Sequence, residues 1–165
     1  MRILGIDPGL DITGYGIIEE SQPQPIVIEA GVIKTSHKEP LAKRLDIIYS
    51  QISELIDNHK PDICAVEKLY SHYKHPMTAI LMGHVRGVVL SCCSQKDIEI
   101  IGYPAKTAKR AITGNGNASK VQVQSFINKL LNLKEAERPV DVTDALALCL
   151  THSYHTKKSK DMVRV

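Results

Sequence analysis

Between Ile100 and Lys134 the chain has no aspartate and no glutamate, although Lys106, Lys109, Arg110, Lys120, Lys129 and Lys134 all fall there. Carboxylate chemistry must come from elsewhere, and this segment reads either as a solvated basic face or as a surface for an anionic partner. The four cysteines, Cys64, Cys92, Cys93 and Cys149, show no C-x-x-C spacing and sit among apolar residues. That speaks against zinc and disulfides and for buried thiols in a reducing compartment. Long hydrophobic runs are missing too: the longest, Met77 to Cys93, is interrupted by His84 and Arg86, so no membrane span is expected. The first residues enter a strand with neither a basic n-region nor an apolar h-region, which predicts no secretory signal and a cytosolic protein. Internal repeats and low-complexity tracts are not found.

What is present fits one domain. A chain of 165 residues can bury a sizeable core. Its net charge of +3 permits nucleic acid as a partner without requiring it. The expected organisation is a single domain over residues 1–155 and a disordered basic tail over 156–165, where Lys157, Lys158 and Lys160 cluster.

The N-terminal stretch Met1 to Gly16 organises the remainder. The apolar run Ile3-Leu4-Gly5-Ile6 delivers Asp7 into Pro8-Gly9, and a second strand restarts at Thr13. Pro8 disfavours a helical Asp7, and Gly9 allows whatever dihedral the turn needs. Thr13 to Glu19 and Ile26 to Lys34 continue an antiparallel meander across a turn at Ser21 to Pro25. Apolar Leu41, Leu45, Ile48, Ile52, Leu55 and Ile56 predict a helix over 41–58. A short apolar strand, 63–66, then ends in Glu67, as the first ends in Asp7. Further elements are predicted as a helix over 77–94, a strand over 98–103, helices over 105–112 and 121–131, and a last helix over 140–154. The expected architecture is α/β, a mixed five-stranded sheet with helices on both faces. Right-handed crossovers would bring Asp7 and Glu67 to one rim, with Asp141 and Asp144 opposite them from the last helix.

Four carboxylates at one rim repel one another unless a divalent cation is present. Hard oxygen donors suit Mg²⁺ or Mn²⁺, which keep several waters and take substrate phosphates as further ligands. A pair of such ions supports phosphodiester hydrolysis. The plainer alternatives stand beside this: a turn aspartate at Asp7, a surface acid at Glu67, and helix-start acids at Asp141 and Asp144. Lys109 and Lys120 flank a Gly-Asn loop from which phosphates can be held, and Arg86, Lys106 and Arg110 extend the DNA-binding candidates. Tyr70 and Tyr73, interleaved with His72, Lys74 and His75, suit stacking on unpaired bases, or cover the core edge. Gly83-x-x-x-Gly87 in an apolar helix suggests a homodimer seam. His152 and His155 lack acidic or cysteine neighbours and are expected at the surface.

Taken in order, ILGIDPG at 3–9, TGYG at 13–16, AVEKLY at 65–70, GHVRGV at 83–88 and DVTDALAL at 141–148 resemble the bacterial RuvC Holliday junction resolvases of the ribonuclease H-like fold. The resemblance covers nearly the whole chain. It implies that Asp7, Glu67, Asp141 and Asp144 are the metal-binding catalytic acids, that Lys109 and Lys120 contact DNA, and that Tyr70 acts at the junction centre. It further implies a homodimer that nicks a four-way junction symmetrically, leaving 5′-phosphate and 3′-hydroxyl ends, and cooperation with RuvA and RuvB. Two positions depart from the pattern: Tyr70, where phenylalanine is common, and Asp11, where a neutral or basic residue is expected. An acid at position 11 would weaken DNA approach or bind metal itself.

Three other readings compete. An ATP-binding domain of the actin and sugar-kinase type shares the first phosphate loop, but needs a second loop and a nucleoside pocket for which this chain is short, and G-x-x-x-x-G-K-[ST] is absent. A junction-binding scaffold would bind without cutting. An exonuclease of related fold would carry a paired D-x-E on its first strand, which is missing here.

Overall fold

A computed structural model describes residues 1–69, 76–133 and 139–162, the stretch 157–162 by its backbone alone. The elements run β1 (Arg2–Asp7), β2 (Ile12–Glu19), β3 (Ile26–Lys34), α1 (Leu41–His59), β4 (Ile63–Glu67), α2 (Pro76–Gln95), β5 (Glu99–Tyr103), α3 (Ala105–Thr113), α4 (Lys120–Leu130) and α5 (Val140–Met162). One five-stranded sheet has the order β3-β2-β1-β4-β5. The first three strands are antiparallel, while β4 lies parallel to β1 and β5 parallel to β4.

Strand periodicity decides which side chains face which helices. Side chains alternate across a strand, so Ile3, Gly5 and Asp7 share one face of β1 while Leu4 and Ile6 share the other. Leu4, Ile6, Cys64 and Val66 pack with Ile48 and Ile52 of α1 and Val85 and Val89 of α2. Ile3, Ile18, Ile63 and Ala65 pack with Ile112, Ile127 and Leu146 of α3, α4 and α5. Glu67 is in phase with Ile63 and Ala65, so it emerges on the same side of the sheet as Asp7. Parallel pairing of Ile6 with Val66 sets the two acids at one rim.

Where α5 approaches β1 and β2 most closely, the sheet presents glycines. Gly5 and Gly16 are cross-strand partners and Gly14 pairs with Asp7. A Cβ on Gly5 would stand 2.2 Å from the Ala145 carbonyl oxygen, and one on Gly16 would stand 2.7 Å from a Leu146 methyl. The helix therefore lies nearly on the strand backbones. Cys149 fills the space beside them, its thiol 3.3 Å from the Gly16 carbonyl oxygen. Leu146, wholly buried there, contributes on the order of 2–3 kcal/mol by leaving water.

Two expectations are corrected. α5 runs to Met162 rather than ending at Tyr154; a helix anchored by a buried run propagates cheaply into following residues. His152 is buried, its Nδ1 2.8 Å from the Tyr103 hydroxyl, because it falls on the buried face of α5 within reach of Tyr103 at the end of β5; His155 is exposed as expected. The apolar stretch at 77–93 belongs to a helix of 20 residues, long and apolar enough by length and composition to cross a membrane. Its Val85, Val89, Cys92 and Cys93 are nevertheless in the core, against α1.

Candidate active site

At the rim where β1 and β4 end, a cleft of about 400 Å³ is lined by Asp7, Glu67, Asp141, Asp144, Lys109 and Lys120, with Pro8, Gly9 and Ile12 at its edge. All the acids expected from sequence, and both lysines, meet there. β1 and β4 supply the first two, as strand-final residues. α5 supplies the other pair, Asp141 from its first turn and Asp144 three residues on, and Gly14 lets it do so: a Cβ there would stand 2.1 Å from the Asp141 carbonyl oxygen. α3 supplies Lys109. α4 supplies Lys120 as its first residue, behind a capping box in which Ser119 and Gln122 satisfy one another's backbone amides.

Burial, and then the charges of Glu67, Asp144 and Asp141, push the Asp7 carboxyl up to about 7, against a smaller opposing pull from Lys120. Glu67 is raised by burial and by Asp144, with Lys120 and Lys109 pulling the other way. Burial lowers the Lys120 ammonium, but Asp144, Asp7 and Asp141 more than offset this and leave it above its ordinary value. Its Nζ lies 3.3 Å from Asp144 Oδ2. The lysine thus partly neutralises an acid cluster that carries more negative charge than it can hold.

Lys109 donates to the Ala118 carbonyl at 3.0 Å, which ties α3 to the loop before α4 while keeping its ammonium in the cleft wall. Arg86 is engaged with the end of β4. Its Nη1 donates to the Glu67 backbone oxygen at 2.7 Å, so it braces the end of β4 and is not among the cleft-lining residues. Lys106 and Arg110 are exposed on α3, outside the cleft wall. Asp11 does not reach the cleft either; it is ion-paired with Arg44. Tyr70 lies outside the described residues. Sequence reasoning missed Arg44 and the glycines under α5; the ordered spacing Gly5, Gly14, Gly16 was the available signal for the last.

Among the described residues no three His, Cys, Asp or Glu side chains form a ready-made ion cage. The donor set nevertheless fits a hard divalent cation. All its atoms are carboxylate oxygens, and the upward push on Asp7 and Glu67 is the electrostatic cost that a cation would remove. Mg²⁺ in particular takes one or two carboxylates and completes its shell with waters and phosphates, so an incomplete cage suits it.

The sequence profile of the family described as crossover junction endodeoxyribonuclease RuvC matches residues 3–152. The chain is 43% identical over 152 residues to the protein of that name from Rhodopirellula baltica, covering 92% of this chain and 85% of that one. It is 41% identical over 157 residues to that from Thermosipho melanesiensis, covering 95% and 99%. Its structure is similar to that of Thermus thermophilus RuvC in complex with a Holliday junction substrate, with a TM-score of 0.90, 31% identity and 96% of each chain covered.

Proposed function

Since the chain belongs to the RuvC family of crossover junction endodeoxyribonucleases, whose activity is Holliday junction resolution, we propose that its cleft cuts four-way DNA junctions with Asp7, Glu67, Asp141 and Asp144 as the catalytic acids. The observation that carries this reading is the meeting of all four acids with Lys109 and Lys120 in one cleft at the sheet rim. Family membership implies a divalent metal; we read it as Mg²⁺, with Mn²⁺ able to substitute, held as two ions by the four acids. When bound, the metal would supply Lewis-acid activation of water and charge stabilisation at the scissile phosphate.

The protein's own side chains do the remainder. Asp7 and Glu67, fixed at adjacent strand ends, present oxygens from the sheet side, and Asp141 and Asp144 present theirs from the helix side. One of the latter pair also orients the attacking water by accepting its hydrogen bond. Lys109 and Lys120 hold the phosphates beside the scissile one, and Lys120 exchanges its Asp144 contact for phosphate as DNA enters. Arg86 keeps Glu67 in register from behind. Tyr70 is the proposed stacking group at the junction centre, with Lys106 and Arg110 as outer phosphate contacts.

A homodimer is part of the proposal, because symmetric nicking needs two such clefts. Exposed Met77, Ile80 and Leu90 on α2 support it, since apolar side chains on one helix gain by being covered. Cooperation with RuvA and RuvB, a cytoplasmic location and a role in recombination and repair follow the family. An end-labelled synthetic four-way junction and a matched linear duplex, each incubated with and without Mg²⁺, test the activity. Paired symmetric nicks confined to the junction with Mg²⁺ are expected. Tight junction binding without cutting across several junction sequences would replace the nuclease by a scaffold.

A further inference from the structure

Asp7 is the last residue of β1, so where its carboxylate stands depends on the turn that follows. That turn is under load, because Glu67, Asp144 and Asp141 all repel Asp7. It is tied down at several points. Thr13 Oγ1 donates to the Gly9 carbonyl at 2.6 Å, and Thr35 Oγ1 donates to the Leu10 carbonyl at 2.6 Å. The Thr35 amide donates to the Asp11 carbonyl at 3.1 Å. Arg44, in the first turn of α1, closes the set: Nε donates to Thr35 Oγ1 at 2.8 Å and Nη2 to the Asp11 carboxylate.

We propose that Arg44 is a positioning residue for the acid cluster: by joining Asp11 to Thr35 it latches the turn at 8–12, and through the turn it fixes Asp7. This rests on the functional reading above. The burial of the pair shows which partner is the fixed one. The Arg44 side chain is 10% exposed and that of Asp11 70% exposed. A desolvated guanidinium must keep its acceptors, whereas an exposed carboxylate can turn to water at little cost. Arg44 is therefore the anchor and Asp11 the tether. The planar fork of arginine reaches both acceptors at once, a task that the point charge of a lysine cannot share in the same way.

The turn is also a partition. On its other side lies a second cleft of about 380 Å³ lined by Arg44, Asp11, Thr78 and Leu81, and Gly9, Ile12 and Met82 line both clefts. A slack turn would thus move the wall of the acid cleft together with Asp7. The acid at position 11, unexpected by resemblance, serves this chain as the counter-charge of Arg44.

The test compares Arg44→Lys, Thr35→Val and Asp11→Asn with the wild type in two measurements: Mn²⁺ binding to the DNA-free protein by electron paramagnetic resonance, and single-turnover junction cutting. Misplacing a ligand by a fraction of an ångström should weaken Mn²⁺ binding and slow cutting by about tenfold in Arg44→Lys and Thr35→Val, and less in Asp11→Asn. Metal-free junction affinity, set by phosphate contacts elsewhere, should stay within about twofold. Wild-type Mn²⁺ binding and cutting in folded Arg44→Lys and Thr35→Val would overturn the latch. So would a loss of junction affinity with Mn²⁺ binding intact, which would make Arg44 a DNA contact. Should Arg44→Lys not fold, Thr35→Val and the exposed Asp11→Asn decide. If the wild type cut no junction, the functional reading would fall, while the Mn²⁺ measurement would still judge the latch.

Discussion

Gly14 and Asp141 meet backbone to backbone: a methyl group on Gly14 would stand 2.1 Å from the Asp141 carbonyl oxygen and 2.4 Å from its carbon. Neither atom belongs to a flexible side chain, so the helix start would have to move. Gly14→Ala is expected to cost about 1–3 kcal/mol of stability, the range of an overpacked core, and to lower junction cutting more than junction binding. Thermal denaturation together with separate binding and cleavage assays checks this; a fully active, equally stable variant would show that α5 is not seated through Gly14.

Asp7→Asn keeps the shape of the side chain and removes its charge. Cutting should fall by about a thousandfold or more, because several kcal/mol of metal-centred stabilisation are lost. Junction affinity should hold or rise, since the variant is less anionic where phosphate must approach. Gel-shift and cleavage assays on one junction separate the two effects, and retained cutting would remove Asp7 from the reaction.

The pH dependence of stability follows from the same residue. Without metal, the folded-state pKa of Asp7 is about 7 against an ordinary 3.8, so between these values the folded chain binds the proton more tightly than the unfolded one. The stabilisation is fully present below the ordinary value and is lost as pH rises through about 7. Denaturant midpoints of the metal-free wild type, taken relative to Asp7→Asn, should therefore fall between pH 5 and pH 8. Divalent cation added at pH 8 should restore the wild type and leave the variant nearly unchanged; a pH-independent difference would contradict the burial and repulsion assigned to Asp7.

Lys120→Ala removes the cation 3.3 Å from Asp144. Junction binding should weaken, and the slope of log affinity against log salt should drop by about one phosphate contact. Binding titrations at several salt concentrations measure the slope. An unchanged slope would mean that Lys120 serves the acids alone.

The acids were legible because each stands where local sequence changes character. Asp7 and Glu67 close apolar runs, and Asp141 and Asp144 open one. The adjacency of β1 and β4 followed from crossover handedness. Arg44 was not legible, because its partners Thr35 and Asp11 lie in other elements and nothing local marks their meeting. His152 was misplaced for a related reason: the buried face of α5 extends past the point where polar residues suggest a surface. Arg86 was read as a DNA-binding candidate, and nothing local in the sequence marks that its guanidinium donates to the Glu67 backbone carbonyl at the end of β4.

The site draws its acids from β1 and β4 of the sheet and from the start of α5. On a ribosome, β1 and β4 emerge long before α5, so a nascent chain holds Asp7 and Glu67 without the partners that the proposed chemistry needs. Delivery of α5 onto the glycine face of β1 and β2 is therefore also the step that arms the nuclease. By the proposed reading, a chain halted before that point would leave the DNA around it uncut.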